Sequence, residues 1–324
     1  MAGSTPDVAV VGGGVAGGLL ALELAGLGLQ VQLLDDGSPD RRATGWSYGA
    51  IAPWVPQLWR RLQDRHGDLG WGGAWFRPLG GWLALPLPCS RVDVVRLQQR
   101  LPQALAAAGV ICSQASVEGL EPPQRSAAPW RLRLRGLPEP LLAHQVVLAA
   151  GAGCRALWPD LPPCLRVSWA GVLLLEPQPG GWPWAGPLAM RLPARFLRLA
   201  LEARAASLSE EAWQVDPGLL PWGDRWLAGQ ISLVRPGLGA GLPPDAALQE
   251  GRLRQALARH LPLVAGWPGR FMQVPVSFSS SGEPLVGPVE GAPGLWAFAG
   301  FSGAFAAVPA LAPPLARRLA GTLG

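Results

Sequence analysis

A run of glycines close to the start of the chain does most to limit what the chain can fold into. Val8–Val11 is a short, continuous apolar run, as is typical of a strand buried on both faces of a parallel sheet. It leads into Gly12-Gly13-Gly14-Val15-Ala16-Gly17, which has the spacing GxGxxG and is followed by leucine-rich helix formers. A strand, a glycine turn and a helix in this order predict the first half of a dinucleotide-binding βαβ unit.

The second half of the unit ends in an acid. Residues 30–34 predict a second strand, and Asp35 and Asp36 follow it directly. Asp35 can accept hydrogen bonds from both hydroxyls of a ribose, which argues against the 2′-phosphate of NADP. In such a unit the first glycine allows the tight turn, the second lets a pyrophosphate approach, and the third lets the helix lie close to the sheet. The predicted contacts to the dinucleotide are Gly12, Gly14, Val15, Ala16, Gly17, Asp35 and Asp36.

Composition narrows the possible chemistry. All 27 basic residues are arginine, so a lysine Schiff base and a P-loop lysine are excluded. The net charge of +5 comes from scattered arginines, whereas a nucleic-acid platform needs a clustered patch, so we expect no nucleic-acid partner. The four cysteines form no CxxC pair and share no metal-ligand spacing with the histidines, so we expect no metal site.

The apolar start does not have the features of a signal peptide. Its first charged residue is Asp7, no basic segment precedes it, and glycines interrupt it. No other segment approaches 18 unbroken apolar residues, so we expect no membrane span. The sequence therefore predicts a cytoplasmic protein with free thiols.

Further segments resemble one family of flavoproteins. TGWSYGAIAPW (44–54) is a small-residue stretch after the second strand, and QVVLAAGAG (145–153) is an apolar strand that runs into glycines. SSSGEPLVGPV (279–289) precedes a closing strand, glycine turn and helix that begin at GLWAFAGFSGAF (294–305). Together with the glycine-rich unit, these segments resemble the D-amino-acid oxidase superfamily of FAD oxidoreductases, which includes glycine oxidase and sarcosine oxidase.

The resemblance implies where FAD would contact the chain. A segment after the second strand would cross the flavin, and the end of a strand predicted at 110–117 would lie near the adenine. Two glycine turns would approach the cofactor, and N–H groups of the second would point at the pyrimidine end of the flavin, where reduction places negative charge. The residues implied by the resemblance are Ser47, Tyr48, Gly49, Ala50, Val117, Ala150, Gly151, Gly300, Phe301, Ser302, Gly303 and Ala304.

The resemblance also implies the reaction. FAD oxidoreductases of this kind take a hydride onto flavin N5 from a carbon that bears nitrogen, in an amine or an amino acid, and oxygen or another acceptor then reoxidises the flavin. No cysteine lies in 279–282 or in the C-terminal turn, so we expect non-covalent FAD. A Gly-Asp-Ala signature is absent, which disfavours a monooxygenase.

The substrate is less well defined. Many family members hold a substrate carboxylate with an arginine shortly before the segment at 279–289, but this chain has Val274-Pro275-Val276 there, and Ser281 replaces the family's aspartate. A carboxylate would need another arginine. The candidates are Arg191, Arg195 and Arg198 on a predicted antiparallel strand, Arg235 and Arg270, and Tyr48 is a further candidate for the active site. An enzyme of the same fold that acts on a non-amino-acid substrate and a flavin-binding protein without turnover remain as alternatives.

The predicted fold class is α/β, with a Rossmann-like FAD-binding domain built on a mainly parallel sheet and an antiparallel-sheet substrate domain. We expect the FAD-binding domain to be discontinuous, with residues 1–65, 91–165 and 271–324. Residues 66–90 and 166–270 would form the substrate domain.

Overall fold

The computed structural model describes residues 5–38, 42–51, 56–79, 85–125, 128–176 and 190–323. Within these ranges the chain forms three sheets and eight α-helices. The helices are α1 (Val15–Ala25), α2 (Pro56–His66), α3 (Val94–Ala107), α4 (Cys154–Leu157), α5 (Arg198–Ala203), α6 (Ala246–His260), α7 (Pro262–Ala265) and α8 (Ala304–Ala320).

A six-stranded sheet contains the predicted βαβ unit. Its strands are β1 (Val8–Val11), β2 (Val31–Asp35), β6 (Ile111–Gln114), β10 (Gln145–Leu148), β16 (Leu285–Pro288) and β17 (Leu295–Ala299). They lie in the order β16-β17-β10-β1-β2-β6, and every neighbouring pair is parallel except β16 and β17.

An eight-stranded sheet has the order β15-β11-β14-β13-β12-β4-β5-β3 and is antiparallel except between β4 and β12. Its strands are β3 (Ala50–Ile51), β4 (Trp71–Leu79), β5 (Leu87–Val92), β11 (Leu165–Leu175), β12 (Met190–Pro193), β13 (Ala212–Trp222), β14 (Arg225–Val234) and β15 (Gly269–Ser279). A small antiparallel sheet holds β7 (Val117–Glu121), β8 (Trp130–Leu134) and β9 (Leu141–Ala143). The mainly parallel and the antiparallel sheets confirm the predicted fold class.

The six-stranded sheet is covered on both faces. On one side, Val10 of β1 is buried with Leu19 of α1 and Leu315 of α8. On the other side, Ala9 is buried with Trp130 of the small sheet. Because successive side chains of a strand point to opposite faces, a strand buried on both sides must be a continuous apolar run, as Val8–Val11 predicted.

The strand predicted at 110–117 is two strands, which corrects the sequence interpretation. β6 pairs with β2, whereas β7 begins at Val117 and joins the small sheet. The chain changes sheet at Ala115, whose N–H donates to the main-chain oxygen of Asp35 (2.8 Å). A period-2 pattern continues through such a bend, so the pattern alone could not locate the change.

The two faces of the eight-stranded sheet carry different groups. One face packs around Tyr48, with Val172, Met190 and Val274 among its members, and is called here the Tyr48 face. The opposite face is covered by α6, through side chains that include Leu253. This alternation determines which strand residues lie on the Tyr48 face.

The predicted division into two domains stays a prediction. β3, within the residues assigned to the FAD-binding domain, joins the eight-stranded sheet. In the part of the chain that the structure describes, no helix is both long enough and apolar enough to cross a membrane.

Candidate functional site

Three glycine turns follow three neighbouring strands of the six-stranded sheet. They begin at Gly12 after β1, at Gly151 after β10 and at Gly300 after β17. These strands are adjacent and parallel, in the order β17-β10-β1, so their carboxyl ends meet at one edge of the sheet. In open α/β sheets this edge is where ligands bind.

Two positions of the first turn, Gly12 and Gly17, cannot accept a side chain. Gly12 has φ +112°, and a Cβ there would overlap the main chain of Ala149. A Cβ on Gly17 would overlap the carbonyl oxygen of Gly12. The two glycines therefore bring the start of α1 against the ends of β1 and β10. The space beside Gly14, at the helix N-terminus, holds only the hydroxyl of Thr44.

The acid after β2 organises this end of the site. The Oδ2 atom of Asp35 accepts from the N–H of Gly13 (2.6 Å), and Oδ1 accepts from the N–H of Gly37 (2.8 Å). Arg42 pairs with the same carboxylate. Asp36 is exposed, and its Oδ1 accepts from the N–H of Ser38 (3.0 Å).

Two residues at this end were missed in the sequence. Thr44 Oγ1 accepts from the N–H of Val15 (3.1 Å) at the first turn of α1, and the buried Nε of Arg42 has no hydrogen-bond partner among the described residues. Both flank a cavity of about 310 Å³ that is also lined by Gly14 and Asp35. The signal for them is their place just after β2: Arg42 lies two residues before the predicted flavin-crossing segment 44–54, and Thr44 is its first residue.

These observations fit the adenosine and pyrophosphate part of FAD. The helix N-terminus and the unpaired Arg42 nitrogen suit phosphate oxygens, and Asp35 suits a ribose. Val117 is half-buried and begins β7, two residues after the Ala115–Asp35 hydrogen bond. Val117, the predicted adenine contact, therefore lies two residues after Ala115, which is hydrogen-bonded to the main-chain oxygen of Asp35.

The predicted flavin-crossing segment connects the two large sheets. The N–H of Gly49 lies 3.3 Å from Ser47 Oγ, and Gly49 has φ +62°, with a Cβ there overlapping the carbonyl oxygen of Val92. Ala50 then enters β3 and pairs with Arg91, whose guanidinium donates to the carbonyl oxygen of Tyr48 (3.3 Å). Burial lowers the pKa of Arg91.

The other two turns lie near the eight-stranded sheet. Gly151 has φ +55° and faces Ser277 of β15, and it follows Ala150 in a short 3₁₀ turn. Gly300 has φ +82° and packs against Leu165 of β11. Both predicted cofactor turns thus contact the eight-stranded sheet, through Ser277 and Leu165, which lie in segments that were predicted to belong to the FAD-binding domain.

The C-terminal turn leads into a helix with an uncapped start. Phe301 packs edge-on against Phe298 (4.9 Å between ring centroids), Gly303 precedes α8 without a side-chain cap, and Ala304 is its first residue. A Cβ on Gly303 would meet open space. An uncapped helix N-terminus offers N–H groups to an anion, as reduced flavin would require.

One arginine contacts this turn. Arg198 donates through Nη2 to the carbonyl oxygen of Ser302 (2.6 Å) and through Nη1 to Glu202 one helical turn away (2.8 Å). Arg198 begins α5 rather than lying on an antiparallel strand, which corrects the sequence interpretation. The segment is helical because Asp216, from β13, accepts from the N–H groups of Leu197 and Arg198 (2.9 Å each) and so caps the helix.

The other candidate arginines lie elsewhere. Arg191 alternates with Met190 and Leu192 of the Tyr48 face and pairs with Leu219, so its side chain is on the α6 side of the sheet. Arg235 donates to the carbonyl oxygens of Ala240 and Leu242. Arg195 and Arg270 are exposed, before α5 and at the start of β15.

Tyr48 is buried beside Asp216, the residue that caps α5. Its hydroxyl lies 3.4 Å from the main-chain oxygen of Asp216, and its ring packs against Phe196 (6.2 Å between centroids). Burial, and then the charge of Asp216, raises the pKa of Tyr48 well above its usual value. The phenol therefore stays protonated at neutral pH and can donate a hydrogen bond but cannot act as a base.

Comparisons with known proteins concern the family and the fold. The family model described as FAD dependent oxidoreductase matches residues 7–77. No curated protein matches the chain by sequence.

Solved structures share the fold over nearly the whole chain. Glycine oxidase from Bacillus cereus has a TM-score of 0.72 at 14% identity, with 98% of this chain and 96% of that one covered. Glycine oxidase from Geobacillus kaustophilus has a TM-score of 0.67 at 18% identity (98% and 94%), and L-proline dehydrogenase from P. horikoshii has 0.70 at 13% (98% and 94%).

Residues 7–77 match the FAD-dependent oxidoreductase family model, and the fold of nearly the whole chain is that of such enzymes. The match at residues 7–77 and the shared fold further confirm the resemblance to the D-amino-acid oxidase superfamily that the sequence motifs predicted. FAD is accordingly the cofactor of this site.

Proposed function

We propose that this protein oxidises a carbon–nitrogen bond of an amine or amino acid with non-covalently bound FAD. The observation that carries the proposal is the meeting of three glycine turns, at Gly12, Gly151 and Gly300, at one edge of the parallel sheet. The first turn suits the pyrophosphate, and the other two lie against the sheet whose Tyr48 face would cover the flavin.

We assign the residues at the starts of α1 and α8 to binding of the cofactor, and the chemistry of the hydride transfer to the cofactor itself. The start of α1 with Asp35, Arg42 and Thr44 would hold the adenosine and pyrophosphate, and the start of α8 would stabilise negative charge on the reduced ring. FAD would supply the acceptor for a hydride, which carries both electrons of the oxidation. The substrate carbon gives up the hydride, and the lone pair of its neutral nitrogen forms a C=N bond.

The protein's own part in this step is orientation and exclusion of water. The Tyr48 face is apolar, with Val172 and Val274 buried, and a dry site favours transfer from a neutral amine over side reactions with water. Tyr48 donates hydrogen bonds but takes up no proton. No side-chain base is required for hydride transfer.

Two alternatives give different results in the same assay. An enzyme of this fold with a non-amino-acid substrate would bind FAD and be reduced only by compounds outside the amine and amino-acid panel. A flavin-binding protein without turnover would bind FAD and be reduced by none of them. The electron acceptor, oxygen or another compound, would be identified by which one restores the oxidised flavin.

The test is product analysis with matched variants. Purified protein is mixed with amines and amino acids, and we expect a carbonyl product with release of ammonia or an amine, and FAD released by heat denaturation. Gly14 has φ −70°, which any residue adopts, so Gly14→Val should fold but lose FAD because its side chain fills the phosphate position. Gly251→Ala, on the exposed side of α6 where a Cβ meets open space, is the control. Retention of FAD by Gly14→Val would contradict the proposed cofactor position.

A further inference from the structure

We infer that the protein has a second binding site, outside the proposed cofactor site, for a small molecule that carries two negatively charged groups, either phosphates or carboxylates. The site is a cavity of about 330 Å³ between α6 and β13. The inference goes beyond the proposed function and does not depend on it, because it uses neither the glycine turns nor the Tyr48 face.

The cavity lies on the side of the eight-stranded sheet that α6 covers. Its wall is formed by Trp213, Val215 and Pro217 of β13, and the first two of these pack with the side chains under α6. Asp216, between Val215 and Pro217, instead accepts from the first N–H groups of α5. The sheet therefore separates an occupant of this cavity from the proposed flavin position on the Tyr48 face.

One stripe of α6 lines the other side of the cavity. Its members follow the spacing i, i+3, i+4, i+7 and i+8, which places them on one face of a helix. They are Arg252, Gln255, Ala256, Arg259 and His260. The Cα atoms of Arg252 and Arg259 are about 10 Å apart along the helix axis. Ala256 lies between them, and its short side chain leaves room between the two long ones.

The two arginines of this stripe have no carboxylate partner in the described part of the chain. None of the ion pairs there includes Arg252 or Arg259, and Asp40 is the only acidic residue outside that part. Gln255 and Ala256 each lie three or four residues from both arginines, which are the positions where a glutamate would pair with them. The cavity is therefore lined by positive charge without a neutralising side chain.

The same helix shows that an acidic partner is compatible with its structure. Arg254, between the two unpaired arginines in sequence, pairs with Glu250 one helical turn earlier (2.7 Å). The stripe that faces the cavity lacks such a glutamate. An anion from solution would supply the missing partner for Arg252 and Arg259.

An aromatic ring holds Arg252 at the cavity wall. Its guanidinium carbon lies 4.6 Å from the ring centroid of Trp213. Stacking of this kind uses the face of the guanidinium group and leaves its N–H edge free to bind an anion. The carboxylate next to this wall, Glu211, accepts from Trp213 Nε1 (3.3 Å) and pairs with Arg235 (3.5 Å), so it is already neutralised by an arginine outside the cavity.

Stabilisation of the helix accounts for only part of this charge. Arg259 and His260 lie in the last turn of α6, where cations interact favourably with the helix dipole. Arg252 lies about two turns earlier, beyond the range of that effect. A guanidinium group binds a phosphate or a carboxylate with two parallel hydrogen bonds, so two of them on one cavity suit a ligand with two such groups.

The experiment measures binding of two-group anions to the FAD-saturated protein. Saturation with FAD occupies the phosphate position at the start of α1, so that added anions report on other sites. Pyrophosphate and glutarate are titrated by calorimetry at low ionic strength, each beside its single-group counterpart, phosphate or acetate. For at least one of the two we expect one site per chain with a Kd of about 1 mM or below. The counterpart should bind about 10-fold or more weakly, and the compound that binds identifies the anionic group.

Variants of α6 test whether the anion lies in this cavity. Arg259→Gln removes one charge at an exposed position, and we expect the Kd to rise about 10-fold. Ala256→Glu keeps both arginines but supplies a carboxylate between them, so it should weaken binding at least as much while leaving the fold stable. Ala256→Gln, which has the same size without the charge, should bind more tightly than Ala256→Glu. Arg100→Gln, at an exposed position of α3, changes the net charge equally and should bind like the unsubstituted protein.

Three results would overturn the inference. Neither pyrophosphate nor glutarate shows saturable binding, or Arg259→Gln and Ala256→Glu leave the Kd unchanged, which means that the anion binds elsewhere. In the third, phosphate or acetate binds as tightly as its two-group counterpart, which means that the site holds a single charged group.

Discussion

At the scale of single residues, buried polar atoms determine what the site can bind. Asp35 already accepts from Gly13, Gly37 and Arg42, whereas Arg42 keeps one buried nitrogen without a partner among the described residues. At the other end, Glu202 keeps one buried oxygen for which the described part of the chain offers no partner. A buried donor or acceptor without a partner costs free energy, which a ligand with the matching group recovers.

Arg42 gives a prediction about affinity for the cofactor. Arg42→Met removes the unpaired donor and the partner of Asp35, so FAD affinity should fall by about 10-fold or more. Titration of the apoprotein with FAD, followed by fluorescence, measures it. Arg204→Met, an exposed arginine in the turn after α5, should bind FAD like the unsubstituted protein, and equal affinities for the two variants would contradict the assignment.

Asp216 gives a prediction about pH. Burial raises the pKa of Asp216, and hydrogen bonds from Arg198, Leu197 and Gln214 oppose this only in part. A carboxyl group whose pKa is higher in the folded than in the unfolded protein stabilises the fold when protonated, so its contribution to the free energy of unfolding decreases as pH rises. Asp216→Asn lacks this dependence.

Comparing the free energies of unfolding of the unsubstituted protein and Asp216→Asn isolates the contribution of the Asp216 carboxyl group. We expect the free energy of unfolding of the unsubstituted protein, minus that of Asp216→Asn, to decrease between about pH 4 and pH 7. Denaturant titrations at several pH values measure it. A difference that increases with pH would mean that the carboxylate is stabilised by its N–H partners more than it is destabilised by burial.

At the scale of elements, α5 links the eight-stranded sheet to the C-terminal turn. Asp216 caps its start, and Arg198 reaches from its first residue to Ser302. Sequence periodicity did not reveal this helix, because six residues are too few to show a period of 3.6 and its cap comes from β13. The sequence also could not predict on which face of the sheet Arg191 lies. Alternation shows that neighbouring residues of a strand point to opposite faces, but it does not show which of them point to the Tyr48 face.

The Arg198–Glu202 pair predicts strong coupling. Arg198→Met leaves the Glu202 carboxylate buried and unpaired, so it should destabilise the protein by about 3 kcal/mol or more. The double variant Arg198→Met/Glu202→Gln should be more stable than Arg198→Met alone, because the unpaired charge is gone. Unfolding titrations of the singles and the double measure the coupling, and simple additivity would contradict it.

At the scale of the whole molecule, the cofactor-binding part of the fold could be predicted from the sequence better than the substrate-binding part. Gly12 and Gly17 are dictated by main-chain contacts that no side chain tolerates, so their spacing is visible in any chain of this kind. The substrate sheet depends on pairings between strands far apart in sequence and on two register shifts, in β11 and β13, which no local pattern reveals.

The most direct test of the central claim is an anaerobic absorption spectrum of the purified protein, recorded before and after addition of pooled amines and amino acids. We predict flavin bands at about 370 and 450 nm, and loss of the 450 nm band on addition, because the substrate gives its hydride to bound FAD. A protein that shows no flavin bands and takes up no added FAD would contradict the account.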